Sequence, residues 1–283
     1  MKLIIVSGLS GSGKSTVLHV LEDLRYYAID NLPVSLLASF AAQMIENPEK
    51  FYQLAAVGID ARNHPDDLRR FPALLRGLRE GGIHCEVLFL DADDHILIKR
   101  FSETRRKHPL SNEQISLAEA IALERQLLDP ISTEADLYLD TSHSNLHQLR
   151  GLIRERVAHK EGSGISLMFQ SFGYKHGVPV DADIVFDVRC LPNPYWETHL
   201  RSLTGRDTPV QHFLQAQPMV EEMFEDIGGY LARWIPRFEA VSRTYLTIAV
   251  GCTGGQHRSV YLVERLAAHF RRHHEVITRH REL

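Results

Sequence analysis

Residues 8–15 read Gly8-Leu9-Ser10-Gly11-Ser12-Gly13-Lys14-Ser15, and this stretch decides the fold around it. A short apolar run, Leu3-Ile4-Ile5-Val6, precedes it, and an apolar-periodic segment at 17–24 follows it. The order is therefore strand, glycine-rich loop and helix, in which main-chain N–H groups converge on a phosphate. The glycines let the chain turn without a Cβ in the way. Lys14 is placed to reach the β- and γ-phosphates of a nucleotide, and the Ser15 hydroxyl to ligate Mg²⁺.

Composition indicates an ordinary globular protein. Of its 283 residues, 44% are hydrophobic and 24% charged, and the formal net charge is −4. This charge argues against a dedicated strong binder of nucleic acid, although a local basic patch stays open. No apolar run approaches the roughly 18 to 20 residues of a membrane span, and the first strand enters the loop directly, which leaves no room for a signal peptide. The cysteines have no CxxC spacing, so we expect a reduced, cytoplasmic protein without a zinc site.

The hydrophobic pattern predicts two α/β domains. Short buried strands alternate with helices in the first half, as in a doubly wound parallel sheet of the P-loop kinase type. The flexible composition of residues 159–164 predicts a linker. We therefore predict a nucleotide-binding domain at 1–158 and a second, smaller α/β domain at 165–283. In the first domain, Ser116 and Glu119 predict a capping box, and Pro130 is expected to stop that helix.

Three predicted strands of the first domain end in aspartate, at Asp30, Asp60 and Asp91. The carboxyl ends of parallel strands share one edge of the sheet, so we expect these side chains to face the phosphate site. Asp60 and Asp91 both fit a carboxylate that holds the Mg²⁺ shell, and we assign Lys14 and Asp91 as catalytic residues. The alternative is that each carboxylate caps the next helix, and Asp30 fits a turn equally well.

Clustered arginines follow Asp91. The chain runs from a strand through Leu90-Asp91-Ala92 into a helix and then into these arginines. Small-molecule P-loop kinases have the same order, and in them the arginines lie on a lid that closes over phosphates. On this interpretation, Arg105 and Arg106 stabilise phosphate charge. The alternative is a solvated basic helix face.

A second strand, glycine-rich loop and helix lies late in the chain. The strand at 244–250 leads into Gly251-Cys252-Thr253-Gly254-Gly255-Gln256-His257-Arg258-Ser259. The spacing of Cys252 and Arg258 matches that of cysteine phosphatases, whose loop wraps a phosphate while the thiolate attacks it. We predict an anion site in which Arg258 contacts phosphate, and we favour a non-catalytic sensor over catalysis by Cys252. The alternative is an ordinary turn with Cys252 packed as a small hydrophobe.

The last 26 residues form a basic segment. Residues 258–283 contain six arginines and three glutamates. Such a patch can hold an RNA backbone through salt-sensitive phosphate contacts, and the alternative is a solvated helix face. The residues that we assign to RNA binding are Arg271, Arg272, Arg279 and Arg281.

Along essentially its whole length, the chain resembles the RapZ family of bacterial RNase adapter proteins. The segments that carry the resemblance are GLSGSGKS (8–15), DNLP (30–33), DARN (60–63), FLDAD (89–93), TRRKHPL (104–110), SFGYKHG (171–177), VFDVRCLPNPYW (185–196) and GCTGGQHRSVY (251–261).

The resemblance implies binding of ATP and GTP with weak hydrolysis, and a C-terminal domain that binds RNA and senses glucosamine-6-phosphate. In enterobacterial members the protein delivers a small regulatory RNA to RNase E and so controls glucosamine-6-phosphate synthase. The implied nucleotide site comprises residues 8–15 together with Asp60, Ala61, Arg62 and Asn63. The implied phosphosugar site comprises Tyr195, Cys252, Thr253, Gly254, Gly255, His257, Arg258 and Ser259. Tyr195 stands where some members have His. We also expect a homo-oligomer.

Three functions therefore compete. The first is a nucleotide-regulated RNA-binding adapter whose second domain senses a phosphosugar. The second is a P-loop small-molecule kinase, and the third is a cysteine phosphatase centred on Cys252. We rank them in this order, and the family resemblance supplies most of the difference between the first two.

Overall fold

A computed structural model describes residues 1–46, 53–158, 165–241 and 243–283. The chain divides into two compact units, Met1–Ala158 and His159–Leu283, which we call unit 1 and unit 2. The boundary predicted after residue 158 coincides with the end of unit 1. The predicted linker at 159–164 lies outside the described residues.

Unit 1 contains a five-stranded parallel sheet in the order β2-β3-β1-β4-β5. Its elements are β1 (Lys2–Gly8), α1 (Lys14–Asp23), β2 (Tyr27–Ile29), α2 (Val34–Glu46), β3 (Leu54–Gly58), α3 (Pro65–Glu80), β4 (His84–Asp91), α4 (Asp94–Thr104), α5 (Leu117–Ser132), β5 (Leu137–Asp140) and α6 (Leu146–Ala158). The predicted strand–loop–helix at the start of the chain is β1, the glycine-rich loop and α1. The predicted doubly wound parallel sheet is confirmed.

Alternation along β1 places an apolar core on each face of this sheet. Leu3 and Ile5 pack in a cluster with residues of α2, α3 and α5. Ile4 and Val6 are equally buried and point to the opposite face. The pairing of β1 with β3 and β4 brings the carboxyl ends of the three strands side by side. Residues that follow these strands therefore meet at one edge of the sheet.

Unit 2 contains a smaller parallel sheet in the order β7-β8-β6-β9. Its elements are β6 (Ser166–Gly173), β7 (Ile184–Asp187), α7 (Thr208–Gln215), α8 (Pro218–Ala240), β8 (Tyr245–Cys252), α9 (Arg258–Phe270) and β9 (Glu275–His280), with 3₁₀ turns at Tyr174–His176, Pro194–Trp196 and Thr198–Leu200. Its core joins β6 and β8 to α8 and α9. Of the described helices, not even the 23-residue α8 is apolar enough over sufficient length to cross a membrane.

Pro130 does not stop its helix as predicted. The capping box of Ser116 and Glu119 is confirmed at the start of α5, but α5 continues through Pro130 to Ser132. A proline removes its own main-chain donor, so the carbonyl of Gln126 loses its partner, but the amides of Ile131 and Ser132 can still bond within the helix.

The end of the chain also differs from the helix face that we considered. Helix α9 ends at Phe270, and residues 275–280 form β9, which pairs with β6 along the edge of the sheet. Val276, Ile277 and Thr278 are β-branched, so a local signal for a strand was present.

Candidate functional site

The loop between β1 and α1 requires glycine at both ends. Gly8 has a φ of 137°, and a Cβ there would lie 2.1 Å from the carbonyl oxygen of Leu90. Gly13, the N-cap of α1, has a φ of 113°. Leu9 is fully buried in the core, so it can contribute only main-chain atoms to a ligand. The glycine spacing of the motif therefore follows from backbone geometry.

The carbonyl groups of this loop are held by side chains outside it. Arg100 donates to the carbonyl oxygen of Gly11 at 3.0 Å, and the Thr141 hydroxyl to that of Ser12 at 2.9 Å. A peptide N–H points away from the C=O of the same peptide. The bond from Thr141 therefore turns the amide of Gly13 towards the inside of the loop, where a phosphate can accept it, while the Ser12 amide donates to the carbonyl oxygen of Leu9 at 3.1 Å.

Lys14 lies at the start of α1 with its ammonium folded over the loop. Its Nζ donates to the carbonyl oxygen of Gly8 at 2.7 Å. Burial lowers the pKa of Lys14, and the charges of Glu124, Asp60 and Asp30 oppose this. The ammonium is thus surrounded by carboxylates before any phosphate arrives. Ser15 follows it and is exposed, so its hydroxyl is accessible to a metal.

Glu124 is a site residue that the sequence analysis missed. Its carboxylate accepts hydrogen bonds from the Ser10 amide at 2.8 Å and from the Ser10 hydroxyl at 2.7 Å. The same carboxylate pairs with the ring of His108 at 3.0 Å. Glu124 and His108 are both buried. They therefore hold the glycine-rich loop from the side of α5. No local signal marks them, since Glu124 looks like any glutamate on a helix.

Residues 60–63 form an ion pair with one exposed partner, and structural contacts at the other positions. Arg62 forms a bidentate ion pair with the Asp60 carboxylate, donating at 2.9 Å through Nε and at 2.6 Å through Nη2. Burial raises the pKa of Asp60, but the bonds and charge of Arg62 and the charge of Lys14 outweigh it, so the pKa lies below its usual value. Asn63 accepts from the amide of Val34 at 2.7 Å and so caps α2. Ala61 is buried in the core.

Asp91 does not face the phosphate loop in the way expected. Its carboxylate accepts from Arg125 and Tyr138, and from the amide of Ala92 at 2.7 Å. Both oxygens are thus engaged by protein donors on the α5 side of the sheet, which does not fit a Mg²⁺-shell or catalytic role. Of the strand-end aspartates, Asp30 and Asp60 are the two whose charge acts on Lys14.

The arginines that we placed on a lid are exposed at the end of α4. Arg105 adopts the left-handed conformation that ends this helix, with a φ of 52°. Arg106 follows it and is also exposed. Arg100, earlier on the same helix, is the arginine of this run that contacts the loop. The structure therefore brings Arg100 to the site and leaves Arg105 and Arg106 on the surface.

The second glycine-rich loop joins β8 to α9 around a buried thiol. The Sγ of Cys252 accepts from the Gly255 amide at 3.3 Å and lies 3.1 Å from the Ser259 hydroxyl. Burial raises the pKa of Cys252, but the bonds from Ser259 and Gly255 and the charge of Arg258 outweigh it. The pKa of this thiol is therefore below its usual value, as in a loop that carries negative charge.

Arg258 ties this loop to the segment after β7. Its Nη1 donates to the carbonyl oxygens of Arg189 at 2.8 Å and Leu191 at 2.9 Å, and its Nη2 to the Thr253 hydroxyl at 3.2 Å. The side chain is 4% exposed. Its Nε is buried and has no acceptor among the described residues. Nε and Nη2 form the edge with which a guanidinium binds an anion through two parallel bonds.

Two other residues predicted to bind the phosphosugar, His257 and Tyr195, form contacts within unit 2. The ring of His257 is buried and lies 3.1 Å from the carbonyl oxygen of Leu200. Tyr195 is half exposed and packs edge-on against Trp196, with Arg201 over its ring. His257 thus supports the segment beside α9.

The four arginines assigned to RNA lie at two places. Arg271 and Arg272 are exposed in the turn between α9 and β9. Arg279 and Arg281 lie at the far end of β9, where Arg279 is 3.7 Å from Asp181 and Arg281 donates to the carbonyl oxygen of Gly177 at 3.3 Å. A six-residue strand is about 20 Å long. The structure therefore separates them into two pairs.

Comparison with known proteins matches both units. Residues 1–161 match the model of the RapZ-like N-terminal domain, and residues 165–283 that of the RapZ C-terminal domain. A nucleotide-binding protein of Thioalkalivibrio sulfidiphilus is 57% identical over 285 residues and covers all of both chains. A nucleotide-binding protein of Stutzerimonas stutzeri, from the ptsN-ptsO intergenic region, is 59% identical over 266 residues, which is 94% of this chain and 93% of the relative.

Solved structures resemble part of the chain. A shikimate kinase from Acinetobacter baumannii in complex with shikimate is 16% identical, with a TM-score of 0.34, and covers 56% of this chain and 95% of its own. A sugar kinase from Janibacter sp. is 17% identical, with a TM-score of 0.36, and covers 55% of this chain and 91% of its own.

The family models together span both units, and the relatives match over nearly the full length of each chain. The matched ranges span both glycine-rich loops. The chain belongs to the RapZ family.

Proposed function

We propose that unit 1 binds ATP or GTP with Mg²⁺ and hydrolyses it weakly. The observation that carries this proposal is the loop at 8–15, whose carbonyl groups are held by Arg100 and Thr141 while the ammonium of Lys14 lies over it. Relatives that match the whole chain are named nucleotide-binding proteins. Asp91 is engaged by Arg125 and Tyr138 rather than turned to the loop, which favours binding over rapid turnover.

The residues present fit a Mg²⁺ ion carried by the nucleotide. The exposed Ser15 hydroxyl supplies one protein ligand, and phosphate oxygens and waters supply the others. Within the described residues, no three or more His, Cys, Asp or Glu side chains gather into a metal site of their own. When bound, the ion would neutralise phosphate charge. Arg62, whose side chain is 52% exposed beside Asp60, would face the rest of the nucleotide.

We further propose that the loop at 252–259 senses glucosamine-6-phosphate. The support is the buried Nε–Nη2 edge of Arg258, beside a thiol whose surroundings favour negative charge. Because Cys252 is only 3% exposed, we assign it to positioning the loop amides rather than to nucleophilic attack.

Glucosamine-6-phosphate is expected to stabilise unit 2 by about 2.7 kcal/mol when its concentration is 100 times Kd, because it binds only the folded state. Arg258→Lys keeps the charge but loses the two-bond edge, so this stabilisation should be lost. Thermal unfolding with and without the ligand is the measurement.

Arg265→Lys, on the same helix, is the matched control and should respond like the natural chain. Unphosphorylated glucosamine should give no shift. An equal shift with glucosamine, or in Arg258→Lys, would refute a phosphate site centred on Arg258.

We also propose that unit 2 binds RNA and presents it to RNase E, with the protein assembled as a homo-oligomer. The exposed pair Arg271 and Arg272 is the better candidate for the phosphate contacts, because Arg279 and Arg281 are engaged by Asp181 and Gly177.

Neutralising Arg271 and Arg272 together should weaken RNA binding and reduce the slope of log K against log salt by about 1.4, since each contact to single-stranded RNA contributes roughly 0.7. The matched variant, with Arg279 and Arg281 replaced by alanine, should change the slope less. Filter binding at several salt concentrations is the measurement. An unchanged slope in the first variant would remove this pair from the interface.

A further inference from the structure

Residue 282 follows β9 into the mouth of the second glycine-rich loop. In the parallel pairing of β6, Ser171 is level with His280 on β9, and Gly173 is level with Cys252 on β8. The Arg281 amide donates to the carbonyl oxygen of Ser171 at 3.2 Å, so the chain keeps its direction beyond the strand. Glu282 is thereby brought level with Gly173, at the carboxyl edge of the sheet where the loop begins.

The Glu282 carboxylate lies directly against this loop. A Cβ on Gly255 would stand 2.3 Å from its Oε2 and 2.8 Å from its Cδ, so only glycine leaves room for it. The amide nitrogen of Gly173 would be 2.7 Å from the same Cβ, and this amide acts to lower the pKa of the carboxylate. A carboxylate held by main-chain N–H at a glycine-rich loop is the arrangement by which proteins bind anions.

The charges around Glu282 favour an anion, but one oxygen of the carboxylate has no hydrogen-bond donor among the described residues. Lys175, His176 and Arg281 all act on it favourably. Its Oε2 is nevertheless buried and accepts no hydrogen bond from the described residues. Burial raises the pKa of Glu282, against these charges and the Gly173 amide. A phosphate monoester would bring more charge and a third oxygen to the same surroundings.

We propose that Glu282 is a tethered competitor of the anionic ligand of the second loop. Its carboxylate occupies the mouth of the loop while the site is empty, and a phosphorylated ligand displaces it. This inference rests on the proposed phosphate site at 252–259. Displacement would also free residues 281–283 from the end of β6, so ligand binding would be coupled to the segment that carries Arg279 and Arg281.

Removal of the carboxylate should tighten phosphate binding. If it covers the loop in about nine molecules of ten, the apparent Kd is about tenfold weaker than that of the open loop. Glu282→Gln removes the charge at nearly constant size, and Glu282→Ala removes the group. Titration calorimetry of the full chain with inorganic phosphate and with glucosamine-6-phosphate should show about tenfold tighter binding in both variants. Glu222→Gln, exposed on α8, should leave the affinity unchanged.

A second measurement uses the natural chain. Saturating glucosamine-6-phosphate should speed hydrogen exchange of the Arg281 amide and of residues 282 and 283. Unchanged or weaker affinity in both Glu282 variants, or slower exchange on saturation, overturns the competitor while the phosphate site stands. If the natural chain and both variants all fail to bind either probe, the proposed phosphate site and the proposed competitor are both refuted.

Discussion

Lys14→Ala is expected to weaken binding of ATP and GTP by roughly 30- to 700-fold. In the proposed nucleotide site the ammonium pairs with the phosphates in a partly desolvated loop, and truncation of one partner of such a charge pair costs about 2 to 4 kcal/mol, at about 1.4 kcal/mol per tenfold. Lys14 lies over the loop, bonded to the Gly8 carbonyl, so little reorganisation is needed on binding. Titration calorimetry with each nucleotide and Mg²⁺ measures the effect.

Lys99→Ala is the matched control for this experiment. Lys99 lies on α4, with its side chain 71% exposed and only a 3.9 Å pair with Glu103, so its loss should leave nucleotide affinity unchanged. Affinity in Lys14→Ala within threefold of the natural chain would contradict the assignment of the loop. Transfer of the γ-phosphate to a metabolite by the natural chain would favour the small-molecule kinase over the adapter.

Glu124→Ala is expected to lower the free energy of unfolding of unit 1 by about 3 to 5 kcal/mol. The substitution leaves the Ser10 amide and the His108 ring buried without their acceptor, and an orphaned buried partner of an ion pair costs about this much. Both tryptophans, Trp196 and Trp234, lie in unit 2, so far-ultraviolet circular dichroism or hydrogen exchange at residues 8–15 is the appropriate measurement.

An exposed glutamate, Glu103, provides the control for the Glu124 variant. Glu103→Ala, on the exposed face of α4, should cost less than about 1 kcal/mol. A loss of similar size in the two variants would mean that the bonds from Glu124 to the loop contribute little.

The same carboxylate makes unit 1 acid-sensitive in a predictable direction. Burial raises the pKa of Glu124, but the bond from His108, the charge of Lys14 and the bonds from Ser10 outweigh it, so its folded pKa lies below the usual 4.5. A depressed pKa contributes stability above the unfolded pKa, and the contribution is lost as the pH falls through the folded value. The stability difference between the natural chain and Glu124→Gln should therefore shrink below about pH 4.5.

Local chemistry made several elements predictable. The glycine spacing of residues 8–15, the capping box at Ser116, and the strand, loop and helix around Cys252 each depend on neighbours within a few residues. The prediction from Pro130 was wrong by two residues, because proline removes its own donor but leaves the amides of the next two residues able to continue the helix.

Contacts between residues far apart in the chain could not be predicted from neighbouring residues. Glu124 reaches Ser10 across 114 residues, and Asp91 reaches Arg125 across 34. Asp60 and Asp91 look alike in sequence, each ending an apolar strand. Their tertiary contacts separate them, since Asp91 contacts Arg125 on α5 while the charge of Asp60 acts on Lys14.

The sequence by itself determined that two glycine-rich turns each lie between a strand and a helix, because backbone conformation at glycine is a local property. Only the tertiary structure decided which side chains from elsewhere in the chain contact those turns: Glu124 and Arg100 at the first, and Glu282 at the second. The physical reason is that strand order and register set the neighbours of a loop, and both arise from packing of the whole sheet.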